Sequence, residues 1–264
     1  MDEDIVSGFK FQVSSTPTTS SSFHPFIFSS NHRPKMNTVL IASLAPVVIL
    51  LIYVYKKDSN QKEPVKMLLK ALLGGVLAAL LDIILLTALS FTEITQFSSA
   101  FSGALYQAFC QAALPEEACK LFFLYIFIWK SQYFDEYFDG LEYAACVGLG
   151  FAGLENIMYV IQGGMGVAIG RAIFAVPAHF FFAIFMGYFF ALAKFRPWKK
   201  GSYLVLAYIV PVILHGLYDF ILMYKNILDE ARAVPTTILS IIFFVFFIFV
   251  AKQATKSLNN MSGK

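Results

Sequence analysis

The sequence predicts an all-α polytopic membrane protein with about seven transmembrane helices, or eight if the third apolar segment splits. Composition is the first ground. Hydrophobic residues make up 58% of the 264 positions and charged residues 14%, against roughly 45–50% and ~25% in soluble domains. A soluble body of this size cannot hide so much apolar side chain, so most of the chain faces lipid or other helices. The second ground is that the apolar residues fall into long runs, and the third is that Lys and Arg fall into alternate loops. An ordinary soluble enzyme, a nucleic-acid binder and a disordered regulator are thereby excluded. The net charge of +3 is too small to imply a polyanionic partner. Cys110, Cys119 and Cys146 lie in apolar stretches without a CxxC pair, which argues against a disulfide framework or thiolate zinc site.

Residues 1–35 stand apart: they are rich in Ser, Thr and Pro (SSTPTTSSSF), show no period and carry no secretory-type apolar core. They read as a disordered tail or as the product of a start placed too far upstream, Met36 standing directly before the first apolar run. The runs then cover about 38–55, 66–91, 100–130, 140–162, 171–193, 202–223 and 235–254, each near or above the ~20 residues that cross the hydrocarbon. The third is too long for a simple span and holds Pro115 beside a charged cluster, so it reads as a kinked helix or a short helix before a full one. Residues 36–255 form the membrane domain, and 256–264 a short cytoplasmic tail.

Basic residues orient the chain. Lys56, Lys57, Lys62, Lys66 and Lys70 flank the first loop, Lys130 follows the third span, and Lys194, Arg196, Lys199 and Lys200 follow the fifth. Lys252, Lys256 and Lys264 close the chain, whereas the opposite side has Arg171, Lys225 and Arg232 besides the tail. The expectation is an amino-terminus outside and a carboxy-terminus in the cytoplasm, in a bacterial plasma membrane.

A charge at mid-bilayer costs at least ~2.5–3.5 kcal/mol on insertion scales, so ionisable residues within spans are candidates for function. The third segment carries Glu116, Glu117 and Lys120 in LPEEACK; the fourth carries Glu155 and Asn156; the fifth carries His179; the sixth carries His215 and Asp219 in ILHGLYDF. Lys120 lies i+4 and i+3 from the two glutamates, and Asp219 lies i+4 from His215, so each pair shares a helix face. Counted at 1.5 Å per residue, Glu155, His179 and His215 lie within roughly 4–6 Å of one depth, just outside the midplane. Glu116 and Glu117 fall near the middle of the third segment. Asp82 alone in the second segment reads as a satisfied polar contact. Asp139 and Glu142, in DGLE, read as a helix cap with an acid at N3, and Gly148, Gly150 and Gly153 as close helix packing.

This ordered set resembles the PrsW family of intramembrane proteases, within the wider group that includes the CAAX prenyl endopeptidases. The resemblance spans about residues 36–255: the QKEP of the first loop, EExxK at Glu116, Glu117 and Lys120, DGxxY at Asp139, Gly140 and Tyr143, GFxxxEN ending in Glu155 and Asn156, then His179 and the HGxxD of His215, Gly216 and Asp219. A second EP is missing from the first loop. The resemblance implies hydrolysis of a peptide bond in a membrane-anchored protein. Substrates of bacterial members include a membrane-bound anti-sigma factor, cut from the extracytoplasmic side.

Two chemistries fit these residues. A zinc ion held by His179, His215 and Glu155 would leave a position for water, with Glu116 or Glu117 as base. Alternatively no metal is needed: a glutamate activates water, and the imidazoles with Asn156 stabilise the oxyanion. Paired carboxylates in low dielectric tilt the expectation toward the metal-free version. Two non-protease readings use the same cluster: a proton- or cation-coupled transporter, and a catalytically silent membrane scaffold. The oligomeric state is not legible in the residues.

Overall fold

The computed structural model describes residues 36–58, 61–90, 97, 99–230 and 237–261. The expected tail at 1–35 lies outside these. Among the described residues the fold is all-α: α1 (Met36–Lys57), α2 (Val65–Ser90), α3 (Ala100–Tyr106), α4 (Leu114–Ile128), α5 (Tyr137–Gly170), α6 (Val176–Phe195), α7 (Lys200–Glu230) and α8 (Thr237–Met261). Wide π-type turns, Gln107–Ala113 and Arg171–Ala175, join α3 to α4 and α5 to α6.

Among the described residues, five helical runs are long and apolar enough to cross a membrane: Asn37–Lys57, Val65–Ala88, Tyr137–Phe195, Pro197–Leu228 and Ile238–Met261. The 59-residue run Tyr137–Phe195 contains two of the expected segments, because the chain reverses at Gly164. Gly164 has φ of 70°, a backbone conformation that a Cβ disfavours. The third expected segment is a helical run from Ala100 to Ile128 rather than two separate helices, and it falls outside the five; three ionisable residues interrupt its apolar pattern. Pro115 cannot donate to the carbonyl four residues back, and the π turn directly before it absorbs that break. Pro177 follows the second π turn in the same way.

Helix α5 is the centre of the fold, packed on α1, α2 and α6. Every residue from Phe138 to Gly153 is buried, as expected of a helix surrounded by others. Small residues set the spacing. A Cβ on Gly150 would stand 2.1 Å from the Leu72 carbonyl oxygen of α2, and one on Gly187 of α6 would stand 2.3 Å from the Gly140 carbonyl oxygen. Gly148 packs as closely, its Cβ position 2.5 Å from Ala183 Cβ and 3.1 Å from the His179 carbonyl oxygen. Gly153, also read as a close-packing residue, is in ordinary contact with Leu44 and Val47 of α1.

Two local expectations change. The N-cap of α5 is Glu136, so Asp139 is the acid at N3 of a capping box. Glu142, one turn further in, has no part in the cap and is fully buried. Helix α8 continues past the expected boundary at residue 255 to Met261, with Leu258 and Met261 in the core beside Phe138 and Leu141.

Candidate active site

The two π turns and their prolines stand directly before the chemistry. Glu116 and Glu117 occupy the first turn of α4, and His179 the first turn of α6. π turns re-aim the side chains that follow them, and they recur at functional positions for this reason. Pro211 lies one turn before His215 within α7, which stays α-helical through it.

From these three helices, donor atoms of Glu116, Glu117, His179 and His215 come within 4.8 Å of one another. All four residues are buried, Glu116 the least so at 8% exposed and Glu117 the most at 0%. Lys120 Nζ sits among them, 3.2 Å from Glu116 Oε2, 2.8 Å from Glu117 Oε1 and 3.1 Å from His179 Nδ1. It lies 4.1 Å from the centre of the Phe151 ring. Glu117 Oε1 also meets His215 Nδ1 at 2.9 Å, while Glu117 Oε2 is buried without a partner among the described residues. Without Lys120 the two adjacent carboxylates would repel at short range in a low-dielectric interior.

Each imidazole turns its other nitrogen to a further carboxylate. His179 Nε2 lies 2.8 Å from Glu155 Oε2, and His215 Nε2 lies 3.2 Å from Asp219 Oδ2. The rings stand edge to face with centroids 5.2 Å apart, and Phe182 stacks on His215 at 5.1 Å. His179 thus presents Nδ1 to the centre with Glu155 behind it, whereas His215 turns Nδ1 to Glu117 and holds Nε2 between Asp219 and Glu116 Oε2, the latter 4.0 Å away. An acid behind the ring is the outer-shell arrangement that orients histidine ligands of metals.

The structure brings together Glu116, Glu117, Lys120, His179 and His215, and sets Glu155 and Asp219 behind the rings. Glu155, expected as a zinc ligand, faces His179 Nε2 and Arg171, while Glu117 meets His215 Nδ1 and Lys120 meets His179 Nδ1. Asn156, expected to donate to an oxyanion, is committed elsewhere: its Nδ2 donates to the Ser43 carbonyl at 2.8 Å, and its Oδ1 accepts from Arg171 Nε at 2.9 Å.

Arg171 is a residue the sequence reading left among loop charges. It pairs with Glu155 at 2.8 Å and lies over the Tyr159 ring at 4.1 Å. The available signal was its place at the head of an apolar segment, just past a Gly163–Gly164 reversal that returns it to the Glu155 level. Asp82 also differs from its reading as a satisfied contact. It is buried, its Oδ1 lacks a partner among the described residues, and it lies in electrostatic reach of Lys120, Glu155, His215 and Glu117.

A polytopic helical bundle with carboxylates, imidazoles and an ammonium buried at one centre is the architecture of an enzyme that works inside the membrane. The comparisons with known proteins name the class. The chain matches the PrsW family of intramembrane metalloproteases over residues 63–251. It is 39% identical over 191 residues to Protease PrsW of Geobacillus kaustophilus, covering 72% of this chain and 82% of that one. Identity is 37% over 187 residues to Protease PrsW of Oceanobacillus iheyensis (71% and 84% covered). It is 36% over 189 residues to Protease PrsW of Bacillus subtilis (71% and 84%). No solved structure matches significantly. The chain belongs to the PrsW family, and is an integral membrane protease.

Proposed function

We propose that this protease hydrolyses a peptide bond of a membrane-anchored protein, within the extracytoplasmic half of a bacterial plasma membrane, at the centre formed by Glu116, Glu117, His179 and His215. The observation that carries this reading is the convergence of those four side chains from three helices, with both histidines braced by Glu155 and Asp219.

Glu116 is the base. It is the more open of the two glutamates, and its ionic contact with Lys120 is the longer, 3.2 Å against 2.8 Å. It takes a proton from water as the oxygen attacks the scissile carbonyl, and returns that proton to the departing amine. Glu117 fixes His215 and Lys120, and the Lys120 ammonium offsets the negative charge that develops on the carbonyl oxygen. Glu155, itself held by Arg171, which Asn156 Oδ1 holds in turn, fixes the plane and tautomer of His179.

With Lys120 Nζ moved from its place 3.1 Å from His179 Nδ1 and 2.8 Å from Glu117 Oε1, the donors His179 Nδ1, His215 Nδ1 and Glu117 would fit a divalent metal, with both outer-shell acids in place. A zinc ion held there would polarise the carbonyl and lower the pKa of water.

The substrate is a single-span regulator of the anti-sigma type. The test compares membrane proteomes of cells carrying the wild-type chain or Glu116→Gln. A fragment present only with the wild type names the substrate, and reconstituted protein then cleaves the same protein in proteoliposomes. If identical fragments accumulate with both chains, the centre is not catalytic.

A further inference from the structure

A second cluster of acids lies at the end of the bundle where α1 ends and α2 and α5 begin. Glu63 precedes α2, Asp135 precedes α5, and Asp139 is in the first turn of α5. Carboxylate oxygens of all three fall within 4.8 Å of one another. The motif residues here, the EP at Glu63 and Pro64 and the DGxxY at Asp139 to Tyr143, have no part in the catalytic centre. Along α5, sixteen positions separate Asp139 from Glu155, about 24 Å of helix.

Two backbone N–H groups and one hydroxyl donate to this cluster, and a further buried acid beside it has no hydrogen-bond partner among the described residues. Asp139 Oδ2 accepts from the backbone N–H groups of Asp135 and Glu136 at 3.0 and 2.6 Å, and the Tyr143 hydroxyl donates to Glu63 Oε2. Glu142 adds a carboxyl one turn from Asp139. It is 0% exposed, and neither of its oxygens has a hydrogen-bond partner among the described residues. Asp58 lies in electrostatic reach of both Glu63 and Glu142. Lys62 is the nearby cation, but its ammonium is taken by the carbonyls of Tyr55 and Asp58 at the end of α1 and by the Tyr55 ring. A buried carboxyl group without a partner is costly unless it is neutralised. The group therefore calls for protons or a cation.

We propose that Glu63, Asp135 and Asp139, backed by Glu142, form a second site that binds a hard divalent cation of the Ca²⁺ or Mg²⁺ type, which ties the α1–α2 connection to the α4–α5 connection. The donors are all oxygen, the set that selects such ions over zinc. They come from two separate stretches of chain, Glu63 from one and Asp135 with Asp139 from the other, so a bound cation cross-links the start of the central helix to the first loop.

The test measures Mn²⁺ binding by electron paramagnetic resonance on the purified full-length protein in detergent. Glu117→Gln serves as the background, because it weakens any binding at the catalytic centre. About one Mn²⁺ should remain bound in that background. Adding Asp135→Asn or Glu63→Gln should each lower its affinity about tenfold or more, since affinity follows the ligand charge count. Asp135 is exposed and contributes only its backbone N–H to the cap, so its variant folds. In parallel, Ca²⁺ should raise the unfolding temperature of Glu117→Gln and leave the double variants unmoved. No bound Mn²⁺ in the background, or binding unchanged by either added substitution, would overturn the proposal. The assay needs no cleavage, so its outcome is independent of the catalytic reading.

Discussion

Glu117 on α4 and His215 on α7, ninety-eight positions apart, meet at 2.9 Å between Oε1 and Nδ1. This contact joins the EExxK turn to the HGxxD turn. It also leaves Glu116, the neighbouring acid, facing the more open side of the centre.

The first expectation concerns the two glutamates. Gln preserves shape but cannot take a proton from water, so Glu116→Gln should lower cleavage of a single-span substrate in proteoliposomes by ~10²–10⁴-fold at normal expression. Glu117→Gln should be as severe, through loss of the anchor for His215 and Lys120. Full activity in both would remove the chemistry from this turn.

Behind the rings the effects should be smaller. Glu155→Gln and Asp219→Asn leave Nδ1 of each histidine in place and loosen its orientation. Each should cost about 10–100-fold in activity or metal affinity. Arg171→Gln should resemble Glu155→Gln, because Arg171 holds that acid at 2.8 Å. Wild-type kinetics in all three variants would show that the outer acids only fill space.

Metal content gives a third test. Purified wild-type protein should carry about one zinc equivalent, as the one-ion donor set predicts. His215→Ala should lose it, and a chelator should inactivate the enzyme until zinc is restored. Metal-free, chelator-resistant protein with full activity would leave Glu116 acting on water without a metal.

The acid cluster around Glu63 predicts a pH dependence of stability when no divalent cation is present. Its carboxyl rises from an ordinary 4.5 to about 9 in the folded state. The folded chain keeps that proton where the unfolded chain has lost it. Stability from this group is therefore complete below about pH 4.5 and declines as pH climbs toward about 9. Thermal unfolding in chelator should show this decline, and Glu63→Gln should flatten it. An equal slope in the variant would assign the titration to other groups.

Orientation is testable by labelling single cysteines. The Lys56–Lys70 loop and the carboxy-terminus should both be cytoplasmic, given the basic residues they carry. A cysteine at Ser59 or Ser257 that reacts with an impermeant reagent in intact cells would reverse the assignment.

The membrane class, the helical fold and the residues of the centre were legible in the sequence. Apolar length and the cost of a buried charge are local properties, and each is read from one segment at a time. The sequence also set Glu116 and Glu117 beside Lys120, and His215 beside Asp219, because helical periodicity fixes neighbours three and four positions apart. What it could not decide is which side chain meets which across helices. That depends on the reversal at Gly164, on the π turns before Pro115 and Pro177, and on the close α5–α6 contact at Gly148. Those features brought Arg171 to Glu155, turned Asn156 toward Ser43, and set Glu155 against His179 Nε2. Nor could the sequence show that Glu142, without a hydrogen-bond partner among the described residues, lies buried in electrostatic reach of Glu63, seventy-nine positions away in the chain. Helical rotation and tilt are set by the packing of all neighbours at once, so only the tertiary structure could decide them.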